Sequence, residues 1–162
     1  SQKHLRGEKM FPISWYVALL VGIPEGILTI LIGFSLFNLK IDFKNVLIIA
    51  VLEGIIIYVV RLFPIMFGIH TVIALFATIG ITYYLIRITF WKVVISVLAG
   101  FVVIGAVYSV YTPLYITITS VSVSSFAENQ WLNVIHFIPF GLLMTFLYRL
   151  IIKYKLIFFD LS

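Results

Sequence analysis

The sequence has no cysteine, and it is nearly as short of charge: six acidic and eleven basic side chains in 162 residues, 10% charged overall. The missing cysteines exclude disulfides, thiolate metal sites and cysteine nucleophiles. The scarcity of charge excludes a soluble domain, in which about 25% of residues are charged, and a disordered chain fails on the same count. Aspartate is represented only by Asp42 and Asp160, both outside the long apolar runs, so an intramembrane aspartyl peptidase with two facing aspartates is excluded. No Gly-x-Ser-Gly-like element supports an intramembrane serine protease. The acidic motif of lipid head-group transferases is missing, as is the Lys/Arg/His signature of membrane phosphatases. A two-Glu, two-His metal site from Glu25, Glu53, His70 and His136 lacks the His-x-x-x-His or Glu-x-x-His spacing that would back it. The chain reads as a non-enzyme, with neither metal nor cofactor.

What is there is apolar: 63% hydrophobic residues and a mean hydropathy of +1.21. Such a chain is an integral membrane protein with little mass outside the bilayer. Crossing ~30 Å of hydrocarbon takes roughly 20 helical residues, and the charges punctuate five runs near that length, at 13–37, 46–61, 68–86, 93–113 and 131–152. The second is short, but Lys44 and Arg61 at its ends can snorkel to the two interfaces. Continuous apolar runs lack the alternation of a membrane β-barrel. The expectation is an all-α integral membrane protein, a five-helix transmembrane bundle within 11–155. Residues 1–10 read as a loose tail or vector-derived residues, 114–130 as one longer outer loop, and 156–162 as a cytoplasmic end. Within that loop, 116–125 alternates apolar and hydroxyl residues with period two, the pattern of a short strand or extended interfacial segment. It reads as a surface loop or as a ligand-contacting cap.

Ionisable side chains at membrane depth are costly unless paired or hydrated. Glu25 follows Pro24 near the middle of the first run, where the proline should kink the helix and free a carbonyl. Counted from the intervening loop at 1.5 Å per residue, Glu25 and Glu53 lie within roughly 6 Å of the same depth. Arg61, His70 and His136 fall in the outer third by the same count. These five residues form a candidate ligand or ion site, or else polar pairs that hold the helices in register. Arg61 also suits an interfacial anchor, His70 a helix cap, and His136 a packing contact. Gly22-x-x-x-Gly26, Ala50-x-x-x-Gly54 and Ser96-x-x-x-Gly100 permit close helix approach, and the chain is expected to self-associate as a homodimer with Gly22 and Gly26 near a helix contact. Trp15, Trp91 and Trp131 sit at run ends as interfacial belt residues.

Pro24-Glu25, Gly33-Phe-Ser-Leu36, Arg61-Leu-Phe-Pro64 and Phe67-Gly-Ile-His70 together resemble the N-terminal membrane region of certain sensor histidine kinases of Gram-positive bacteria. The resemblance covers about a third of the chain by motif and extends over the rest in span pattern. It implies a multi-span sensor whose last helix leads to a cytoplasmic kinase. Residues 1–162 contain no nucleotide-binding motif, so a kinase activity would belong to another chain or to the remainder of a longer one. The expected function is signal sensing with a cytoplasmic partner. The alternative is a small-solute or ion transporter or channel, or the substrate-binding subunit of a transporter, using the same polar cluster. A vitamin-transporter subunit would usually carry six spans and an Ala-x-x-x-Ala motif in the first, where Ala18 stands alone. The expected partners are membrane lipids, a second copy and a signalling protein, not nucleic acid, and the expected location is the bacterial inner membrane.

Five spans put the termini on opposite sides. Lys40, Lys44, Arg87, Lys92, Arg149, Lys153 and Lys155 lie on one side, against Arg61 and, in the tail, Lys3, Arg6 and Lys9 on the other. Basic loops stay in the cytoplasm, which places the N-terminus outside and the C-terminus inside. A reporter fused after Ser162 should be active only in its cytoplasmic form; activity of an exterior-only reporter there would reverse the orientation.

Overall fold

A computed structural model describes residues 13–66 and 68–162; the 1–10 tail and Phe67 lie outside them. The architecture is an all-α membrane bundle. Helices α1 (Trp15–Ser35), α2 (Phe43–Arg61), α3 (Ile69–Ile86), α4 (Phe90–Thr119) and α6 (Trp131–Tyr154) are each long and apolar enough to cross a membrane. The short α5 (Val123–Glu128) joins α4 to α6. Helix α1 is the axis, with α2 and α4 packed along it and α3 closing a four-helix ring between them; α6 lies against the outer flank of α1. Its sequence explains that place, because α1 is apolar on almost every side and buries Leu28, Thr29, Ile30, Ile32, Gly33 and Phe34 in succession. A helix apolar all round belongs in the interior. Ile30 and Phe34 meet Val46, Ile49, Val93 and Val97 inside the ring, while Leu28 and Ile32 meet Ile104, Phe140 and Met144 on the α6 side.

Two glycines set how close the axis lies to α4. A Cβ on Gly33 would stand 2.1 Å from the Ser96 carbonyl oxygen, and one on Gly100 would stand 2.2 Å from the Thr29 carbonyl oxygen. The helices therefore touch backbone to backbone, a contact that only glycine allows. Ser96-x-x-x-Gly100 does bring helices together, with Gly33 as its partner. Gly26 packs against Ala50 and Glu53 of α2, and Gly54 faces Ile23 of α1. Gly22 corrects the expectation: nothing lies within 4 Å of its would-be Cβ, and it faces a cavity inside the bundle, not a helix.

The kink expected at Pro24 takes a specific form. Residues Ala18–Gly22 make one π-helical turn, in which the Ile23 amide bonds to the Ala18 carbonyl five residues back. Proline at 24 has no N–H to continue the regular ladder, and the wider turn absorbs the mismatch before the α-helix resumes.

The region expected to be an extended outer loop is mostly helical. Helix α4 passes through Pro113 and continues to Thr119, and Val123–Glu128 forms a further short helix. The hydroxyls that gave the period-two pattern serve the helix: Thr117 donates to the Pro113 carbonyl at 2.9 Å and Thr119 to the Tyr115 carbonyl at 2.7 Å. Proline removes one donor, and in a membrane helix such breaks are readily re-satisfied.

At the opposite end the chain folds back on itself. After Tyr154, Lys155 takes a left-handed conformation. The Phe158 amide then donates to the Leu36 carbonyl at 2.8 Å, and the Leu161 amide to the Phe37 carbonyl at 3.0 Å. Asn38 donates to the Asp160 carboxylate at 3.1 Å, and the Lys92 ammonium reaches the Leu161 carbonyl. Hydrogen bonds from Ser162 and Asn38 hold the Asp160 carboxyl below its usual range. This latch ties the end of α6 to the end of α1 and the start of α4.

Gly33→Ala and Gly100→Ala should each destabilise the purified protein by roughly 1–3 kcal/mol through overpacking, whereas Gly22→Ala should melt like the parent. Detergent-solution melting of the three variants checks this, and equal midpoints would remove the backbone contact from the account.

Candidate functional site

Between α1, α2, α3 and α4 lies a cavity of about 290 Å³. It extends from Ile13, Arg61 and His70 at the Trp15 end of the bundle down to Thr29 at mid-helix. Below it the ring is filled by Ile30, Phe34, Val46, Ile49, Val93 and Val97, all fully buried, so the cavity is blind at the latch end.

The π turn shapes its wall. Val17, Val21, Glu25 and Thr29 all line the cavity, at a strict spacing of four. In a regular α-helix of 3.6 residues per turn, each such step drifts by about 40°. The wider turn at Ala18–Gly22 takes up part of that drift, and residues on both sides of Pro24 share one face.

The cavity gathers Glu25, Glu53, Arg61 and His70. Glu53 is 5% exposed, and its Oε2 rests against Gly26, 3.1 Å from where a Cβ there would stand. That oxygen accepts no hydrogen bond from the described residues, and the Arg61 Nε likewise donates none. Glu25 and Arg61 are partly buried and within electrostatic reach of each other, as are Glu25 and Glu53. His70 shares a hydrogen bond of 3.2 Å with the Thr71 hydroxyl. Among the described residues no three His, Asp or Glu side chains converge as a metal centre needs.

His136 does not join this group. It is buried on α6 in an aromatic cluster with Tyr111, Tyr115 and Phe126, its ring centroid 4.9, 4.7 and 5.5 Å from theirs. Its carbonyl accepts the Tyr111 hydroxyl at 2.7 Å. A helix-end count gives depth but not azimuth, and α6 lies outside the ring that encloses the cavity.

Tyr108 is the site residue that sequence reasoning passed over. It lines the cavity beside Glu25, and its ring stacks on Phe140 of α6 at 3.9 Å between centroids. The signal was Tyr108, Tyr111 and Tyr115, spaced three and four apart on one helix face, where three phenols in a membrane span ask for polar company. Thr29 and Thr78 also stand near the carboxylates, but each hydroxyl bonds a carbonyl of its own helix, Glu25 and Ala74, at 2.8 Å.

Glu25→Gln should keep the fold, because the Glu25 carboxyl hydrogen-bonds the Tyr108 side chain and an amide can replace it there. Glu25→Leu removes the carboxylate that acts on Arg61 and should lower the melting temperature further, by on the order of 5–10 °C. Equal melting of the two variants would show that Glu25 and Arg61 do not depend on each other. No family profile, curated protein or solved structure matches this chain, and the chemistry of the cavity stands on the side chains just described.

Proposed function

We propose that this polytopic membrane protein is a signal-sensing membrane domain that acts with a cytoplasmic kinase or other signalling partner. The observation that carries the reading is the blind cavity: polar groups converge at mid-bundle, one end is reachable from the Arg61 and His70 side, and the other is sealed by apolar packing. A blind site suits binding, whereas passage needs a way through.

The latch supports the same reading. Helix α1 carries Glu25 in the cavity wall, and its last turn is hydrogen-bonded to the segment that follows α6. A ligand that shifts α1 would shift that segment too, on the side expected to be cytoplasmic from its basic residues. The motif resemblance between Pro24 and His70 points to the same class. Self-association as a homodimer in the bacterial inner membrane would fit it.

Transport of a small solute or ion is the second reading. Its support is that Thr82 and Ser96 are fully buried in the closed half, with their hydroxyls unpartnered among the described residues. Proteoliposomes separate the two. Under the sensing proposal, vesicles holding the protein should keep a proton or potassium gradient as long as empty vesicles do. A protein-dependent leak that Glu25→Gln abolishes would assign transport instead.

A further inference from the structure

We propose that the cavity binds a small organic monocation, a protonated amine with an apolar body, whose ammonium group sits between Glu25 and Glu53. This rests on the reading of the cavity as a ligand site and adds the charge and shape of the ligand.

Charge is the first argument. The described wall carries two carboxylates, Glu25 and Glu53, and one guanidinium, Arg61. With these three ionised and the His70 imidazole, which also lines the wall, neutral, one negative charge is left over in a membrane interior, where unbalanced charge is costly. A monocation closes the count.

The second argument is an unfilled acceptor. Glu53 is 5% exposed, lines the cavity, and accepts nothing at Oε2 from the described residues. Buried carboxylate oxygens are rarely left so. The Thr78 hydroxyl interacts with the Glu53 carboxyl but donates its one proton to the Ala74 carbonyl, and Thr29 donates to the Glu25 carbonyl. Gly26, which lies against the carboxylate, brings no side chain into the cavity. An ammonium brings three donors, enough for both carboxylates and the Tyr108 oxygen.

The third argument sets the ligand's body. Val21, Ile57, Phe101 and Ile104 line the cavity around the polar group, so an alkyl or ring substituent would be enclosed. A hard divalent ion, which takes six to eight oxygens, is poorly served by two carboxylates. An anion would be held at the Arg61 end and repelled from the two carboxylates deeper in the cavity.

The test uses the full chain in phosphatidylcholine nanodiscs, with hexylammonium, hexanol and hexanoate as probes of matched length. Thermal unfolding is followed by intrinsic fluorescence. Hexylammonium should raise the melting temperature saturably, hexanol less, and hexanoate not at all. Glu53→Gln should unfold near the parent temperature without ligand, yet require at least about tenfold more hexylammonium for the same shift. Glu25→Gln is the second variant, to be read the same way should Glu53→Gln fail to fold. Equal stabilisation by amine and alcohol would overturn the monocation while leaving a ligand cavity in place. No saturable shift with any probe, or an undiminished amine shift in both folded variants, would also overturn it. The sensing reading stands or falls separately, on the gradient measurement.

Discussion

The backbone contact between α1 and α4 is the constraint on which the rest of the bundle depends. At Gly33 and Gly100 the two helices meet with no side chain between them. Helices so close can pack tightly only in that half of the membrane, and the fully buried Ile30, Phe34, Val93 and Val97 complete the seal. Toward the other end the same pair has no glycine in contact, and the space between them widens into the cavity. One short sequence device therefore produces both the closed half and the open half.

The open half is where the chain spends its few intramembrane charges. Glu25, Glu53 and Arg61 would each be costly against lipid, and gathering them around one cavity gives them one another and Tyr108 as company. The π turn makes this arrangement consistent along α1. Without it, Val17 and Glu25 would drift onto different faces, and part of the wall would turn toward α6. Proline at 24 thus does more than bend a helix: the register change that accompanies it keeps one face continuous.

The spans were legible because hydropathy and length answer the same question, and charged residues mark the ends. Depth was legible too, since counting at a fixed rise places Glu25 level with Glu53. Azimuth was not. His136 shares the outer third with Arg61 and His70, but its helix stands outside the ring, which no count along one chain reveals. Tyr108 was missed because attention fell on formal charge, although a phenol in a membrane span is also a polar group seeking a partner. Thr117 and Thr119 misled by pattern: alternating hydroxyls read as a strand, but hydroxyls bonding back one turn are equally a helical habit. The C-terminal latch had no sequence signal, because two of its four bonds are between main-chain groups of distant segments.

Helix α4 has 30 residues, about 45 Å at the usual rise, against a hydrocarbon core of ~30 Å. Its surplus has to be taken up by tilt or by emergence beyond Pro113, and the two trade against each other as lipid tails lengthen or shorten. Because α4 is held to α1 at a single close crossing, a change in its tilt pivots about Gly100 and alters the width of the cavity above. Bilayer thickness would then act on the same wall that carries Glu25, set by the membrane and not by any solute.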